Sequence, residues 1–207
     1  MPVPLAGASA SSLASASETT KSRPERSSPL FSAIGVASSR DVVSGKYVDM
    51  GAPRFDPAGI PLRAAAVSDS YPLMLSEGRV DVAALSMGNP HAVLTVPDCV
   101  DADVAGIGAQ IEIHPDFPQR CNVGFMQVLA PDHIRLRVHE RGVGETLACG
   151  TGACAAAVTG MRRGILERKV RVSLPGGDLT IEWPDSSASV WMTGPTQFVF
   201  EGEWHDD

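Results

Sequence analysis

The sequence predicts an α+β fold in which a mostly antiparallel, curved sheet wraps around one central helix. Three observations carry this. Short strand-like segments follow one another from Tyr47 to the C-terminus, each bounded by Gly, Pro or Asp. Ile134, Leu136 and Val138 alternate with Arg135, Arg137 and His139, the period of a half-buried strand. A single Ala-rich stretch, Ala153 to Arg163, has helical composition and stops at Gly164.

Residues 1–46 read as a separate, disordered tail. Ala8 to Ser39 is dense in Ser and Ala with little apolar periodicity, too little to offset the entropy of ordering. The composition also fits a plastid transit segment, an uninformative tail or a misplaced start. Residues 47–207 form the folded part. Tyr47–Met50 is a first strand, and Pro53, Pro57 and Pro61 then forbid regular helix. Val80–Met87 and His91–Val96 are strands divided by Gly88-Asn89-Pro90, and Asp101–Ile111 is a short helix capped by Asp101. Val123–Leu129 and Ile134–His139 are joined by the turn Ala130–His133. After the Ala-rich helix come Val170–Leu174, Leu179–Trp183, Val190–Thr193 and Phe198–Glu201.

A formal net charge of -7 argues against nucleic acid or an anionic membrane as partner. No apolar run approaches the roughly 20 residues that span a bilayer. Cys99, Cys121, Cys149 and Cys154 show neither a disulfide framework nor zinc-ligand spacing, which predicts free thiols in a reducing, cytoplasmic compartment and no metal.

Chemistry concentrates between Glu140 and Cys154. A strand ends in Glu140-Arg141, passes Gly142 and Gly144, and reaches Cys149 flanked by Gly150 and Gly152 where a helix begins. Glycines free the backbone amides, and a helix start carries partial positive charge, so the place suits a carboxylate. The same charge is expected to lower a thiol pKa from about 8.5. Cys154, inside the Ala run, reads as core. Asn89 and His91 serve either as ligand donors or as satisfied turn residues. His114, His133, His139 and His205 read as surface residues, and the surplus of Asp and Glu as a solvated exterior.

Together these fragments resemble the diaminopimelate epimerase family. The pieces are Val48–Pro53, Ser86–His91, Phe117–Phe125, Glu140–Cys154, Pro175-Gly176-Gly177 and Thr193-Gly194-Pro195, in order from residue 47 to 204. The resemblance implies one half of a two-domain fold with an amino-acid substrate in the cleft between domains. It also implies epimerisation of LL- to meso-diaminopimelate by two thiols, without pyridoxal phosphate, metal or other cofactor. Residue by residue, it implies that Cys149 is the acid/base thiol and that Gly150 and Thr151 bind the α-carboxylate. Asn89 and Asn122 would hold the substrate, Glu140 and Arg141 would meet its amino and carboxylate groups, and His91 with Glu140 would tune the thiols.

The family's N-terminal Gly-Asn-Asp-Phe and Cys-Gly-Asn-Gly elements do not occur in this sequence, and residues 1–46 contain no cysteine. The expectation is therefore a chain that does not epimerise by itself and that pairs with a missing N-terminal domain or forms a homodimer. A proline racemase-like isomerase and a non-catalytic remnant or binding module are the alternatives.

Overall fold

The computed structural model describes residues 46–196 and 200–202. The elements run β1 (Lys46–Asp49), β2 (Tyr71–Leu75), β3 (Gly78–Ser86), β4 (Pro90–Thr95), α1 (Val104–Glu112), β5 (Asn122–Ala130), β6 (His133–Glu140), β7 (Gly144–Thr146), α2 (Gly150–Arg162), β8 (Lys169–Leu174), β9 (Gly177–Glu182) and β10 (Trp191–Gly194). The strands form one sheet in the order β1-β10-β9-β8-β6-β5-β4-β3-β2, and β7 pairs with β6 off this path. Among the described residues only β4 with β5 and β6 with β8 run parallel; every other neighbouring pair is antiparallel.

The central helix is α2. Every residue from Gly152 to Met161 is buried, so the helix is covered on all sides rather than along one stripe. Small side chains make this possible, because Ala153, Ala155, Ala156 and Ala157 let the strands approach its axis. The inward residues of the sheet close on it: Leu85 from β3, Val93 from β4, Met126 from β5, and Ile134, Leu136 and Val138 from β6. Truncating a fully buried side chain such as Leu136 to alanine costs roughly 2–5 kcal/mol.

The opposite face of β2–β5 is also covered. Val82, Ala84, Ala92, Leu94, Val123 and Phe125 pack there with Val104 and Ile111 of α1. Alternate residues of β3, β4 and β5 thus enter two different cores, which is why these strands are apolar almost throughout.

Several elements depart from the sequence expectation. The first helix is capped by Asp103, not Asp101, because the Asp103 Oδ1 accepts the Gly106 amide at 2.8 Å. The second begins at Gly150, three residues early, since burial outweighs the low helix propensity of Gly150 and Gly152. Strand β2 carries Pro72 and lies at the sheet edge, where a missing N–H is tolerated. Of the expected strand Phe198–Glu201, Phe198 and Val199 lie outside the described residues, and Phe200 and Glu201 are not in a strand. The tail expected over residues 1–46 lies outside the described residues except for Lys46, which pairs with Gly194.

Candidate active site

One end of the sheet collects the singled-out residues. Strands β4 and β5 begin there in parallel, with His91 beside Asn122; β6 ends there at Glu140, and α2 starts there after Cys149. Residues far apart in sequence meet because β6 runs antiparallel to β5 and returns to the end where β5 began.

Cys149 is the N-cap of α2, with an extended backbone (φ −143°, ψ 109°) and no side-chain cap bond. The first amides of a helix have no carbonyl to meet within it, so those of Gly150 and Thr151 remain available to a ligand, while the Gly152 amide turns to the Cys149 thiol. The Cys149 Sγ lies 3.7 Å from the Thr151 Oγ1, and the residue is 7% exposed. Two neighbours set the approach. Gly176 donates its amide to the Leu147 carbonyl at 2.7 Å, fastening the loop before the thiol. At Gly152 a Cβ would stand 3.2 Å from both the Cys149 Sγ and a Val138 methyl.

The electrostatics correct the sequence expectation. The Cys149 thiol is raised, not lowered: burial contributes most, and the charge and hydrogen bonding of Glu140 add to it. The Thr151 hydroxyl and the Gly152 amide pull the other way without prevailing. The positive end of α2 is therefore outweighed by desolvation and a neighbouring carboxylate.

Glu140 is half-buried, and its Oε1 accepts the Thr146 hydroxyl at 2.6 Å. The turn Glu140-Arg141-Gly142-Val143 closes through the Val143 amide on the Glu140 carbonyl at 3.0 Å, with Gly142 at φ 76°, a conformation that favours glycine. Arg141 is exposed. Its amide donates to the Asn122 Oδ1 at 3.0 Å and its guanidinium to the Gln119 carbonyl at 3.0 Å. Asn122 is buried and also donates to the Pro90 carbonyl at 3.4 Å, so one amide hydrogen is left for a ligand.

His91 is 1% exposed, with its Nε2 3.0 Å from the Asn89 Oδ1. Burial first, and then the charge of Arg141, lower its pKa to about 3. It is a neutral imidazole near pH 7.

The other cysteines are sealed in the cores with no exposure, and burial first of all raises each thiol, those of Cys121 and Cys154 to about 12. Cys154 is core, as its place in the Ala run predicts. All four cysteines are free. His139 and Glu112 overturn their surface assignments, since both are buried and they meet at 3.0 Å. His114 and His133 are half-buried, and His205 lies outside the described residues. Thr146 escaped notice although it lies inside the informative run; Glu112 had no sequence signal. Among the described residues no three His, Cys, Asp or Glu side chains stand close enough to hold a metal ion. No described helix is long and apolar enough to cross a membrane.

The chain is similar to several known proteins. The sequence model of the family described as diaminopimelate epimerase matches residues 83–199. The diaminopimelate epimerase of Chromobacterium violaceum is 52% identical over 179 residues, 83% of this chain and 65% of that protein. That of Alkalilimnicola ehrlichii is 59% identical over 156 residues, 75% of this chain and 56% of that protein. A solved hydroxyproline epimerase from Agrobacterium vitis superposes with a TM-score of 0.49 at 16% identity, covering 73% of this chain and 50% of that one. This chain thus spans between half and two thirds of the curated relatives it matches. With more than half of its sequence matched by the family model, the chain belongs to the diaminopimelate epimerase family.

Proposed function

We propose that this chain supplies one acid/base half of an epimerase site that interconverts LL- and meso-diaminopimelate, with Cys149 as its proton-transferring group. The observation that carries the proposal is the meeting of Cys149, Glu140, Arg141, His91, Asn89 and Asn122 with the open amides of α2 at one end of the sheet.

The chemistry follows from the environment. A thiol pushed above its ordinary pKa is protonated near pH 7, so Cys149 rests as the acid. A base on the opposite face of the substrate takes the α-proton, and the electron pair stays on the α-carbon. Cys149 then delivers its S–H proton from its own face, which inverts the centre and leaves a thiolate. The Gly152 amide and the Thr151 hydroxyl are the groups that steady that thiolate. In the reverse direction the thiolate takes the α-proton. The Gly150 and Thr151 amides hold the α-carboxylate, whose charge grows in the planar carbanion. Arg141, Asn89 and Asn122 orient the remaining polar groups, and His91 stays neutral beside Asn89.

Inversion needs a second group facing Cys149. Cys99, Cys121 and Cys154 are sealed in the cores, so in this proposal the opposite thiol comes from a second polypeptide segment, either an N-terminal domain or another copy.

The test mixes purified chain with the N-terminal portion of the Chromobacterium violaceum relative and offers LL-diaminopimelate or L-proline. Formation of meso-diaminopimelate by the mixture, abolished by Cys149→Ala, is expected. Preferential racemisation of proline, or no turnover of either compound, overturns the proposal.

A further inference from the structure

We propose that Glu112 is a positioning residue for the Glu140–Arg141 pair, acting from the far side of the sheet. The inference rests on the reading of Cys149 as the acid/base group and adds a residue to the machinery that tunes it.

Glu112 is the last residue of α1 and is 7% exposed. Its two carboxylate oxygens bracket the pair in the chain. Oε2 lies 3.0 Å from the Nε2 of His139, the residue before Glu140. Oε1 accepts the amide of Gly142, the residue after Arg141, at 3.0 Å. Arg120 adds an outer bond to Oε1 at 3.3 Å. Burial works to raise the Glu112 carboxyl, but the His139 and Gly142 hydrogen bonds and the charges of His139 and Arg120 hold it below its ordinary range. It is therefore ionised and acts as acceptor only, so the His139 Nε2 turns a hydrogen toward Oε2.

The brace needs α1 close to β6, and Gly108 allows it. A Cβ at that position would stand 2.6 Å from the His139 Cβ, so any side chain there drives the helix off. The opposite side of the turn is held independently, by Asn122 on the Arg141 amide and by Thr146 on the Glu140 carboxylate. Glu140 and Arg141 are thus gripped from both faces of the sheet. A buried carboxylate is expensive unless its hydrogen bonds are made, and here those bonds converge on the two residues that flank the pair.

The consequence reaches Cys149 through Glu140, whose carboxylate helps to raise the thiol. Loss of the brace frees the turn, lets Glu140 move, and lowers the pH at which the thiolate forms. The experiment measures the rate of Cys149 alkylation by iodoacetamide against pH in the full chain, with wild type, Glu112→Ala and Glu112→Gln, each checked for folding by circular dichroism. A fall of the alanine variant's midpoint by about half a pH unit or more is expected. Glutamine, which keeps an acceptor for the Gly142 amide, holds the wild-type midpoint. A merely structural residue lowers the melting temperature and leaves the midpoint in place, and a folded alanine variant with that result overturns the proposal. A glutamine variant that shifts as far as alanine also overturns it, because charge rather than the bracket is then responsible. If the alanine variant does not fold, amide hydrogen exchange in wild type decides. Slow exchange at Gly142 supports the bracket, and exchange at the rate of an open turn overturns it. No substrate enters the measurement, so failure of the diaminopimelate reading is seen separately.

Discussion

The Thr146 hydroxyl donates to the Glu140 carboxylate across 2.6 Å, and this bond links a short strand, β7, to the charge that adds to burial in raising the Cys149 thiol. A carboxylate beside a thiol disfavours the thiolate, so removing the charge moves the titration down. Glu140→Gln is expected to alkylate at Cys149 several-fold faster than wild type at pH 8. Thr151→Val, which deletes a hydroxyl that favours the thiolate, is expected to be slower. Rates that move in the same direction for both variants contradict this assignment.

His91 predicts an acid-sensitive fold. Its pKa is near the ordinary 6.5 when unfolded and about 3 in the fold, so below pH 6.5 the unfolded chain binds a proton that the folded chain refuses. The stability tied to neutral His91 is complete above about pH 6.5 and is lost as the pH falls toward 3, at up to about 1.4 kcal/mol per pH unit. Glu112, held below its ordinary range, adds loss in the same direction at the acid end. Urea titrations between pH 7 and 4.5 measure the slope, and His91→Gln should flatten it.

Gly108→Ala should destabilise the chain by about 1–3 kcal/mol or more, because the added methyl meets the His139 side chain between two packed elements. A drop of several degrees in melting temperature is expected. Gly152→Ala is expected to act at the site instead, slowing Cys149 chemistry by crowding its Sγ at 3.2 Å. An unchanged Cys149 alkylation rate in Gly152→Ala contradicts this.

The candidate site was legible in the sequence where its proposed chemistry is contiguous. Cys149, Gly150, Thr151, Glu140 and Arg141 lie in one run, and the alternation of Ile134, Leu136 and Val138 correctly marked the face of β6 that packs on α2. That same alternation misplaced His139. A polar face ordinarily meets water, but α1 covers this one, and the covering partner Glu112 stands 27 residues away in the chain. The direction of the Cys149 shift was hidden for a similar reason. A helix start is visible in the sequence, whereas the burial and the Glu140 carboxylate that overcome it exist only after folding. Strand β2 was concealed by Pro72, whose tolerance depends on an edge position that local sequence does not encode.

The most direct test of Cys149 as the proton donor is solvent deuterium incorporation at the α-carbon of LL-diaminopimelate, with wild type and Cys149→Ala each combined with the N-terminal portion of the relative. The account predicts meso product carrying one solvent deuteron from wild type and no meso product from the variant. Deuterated meso product from Cys149→Ala at the wild-type rate would contradict it.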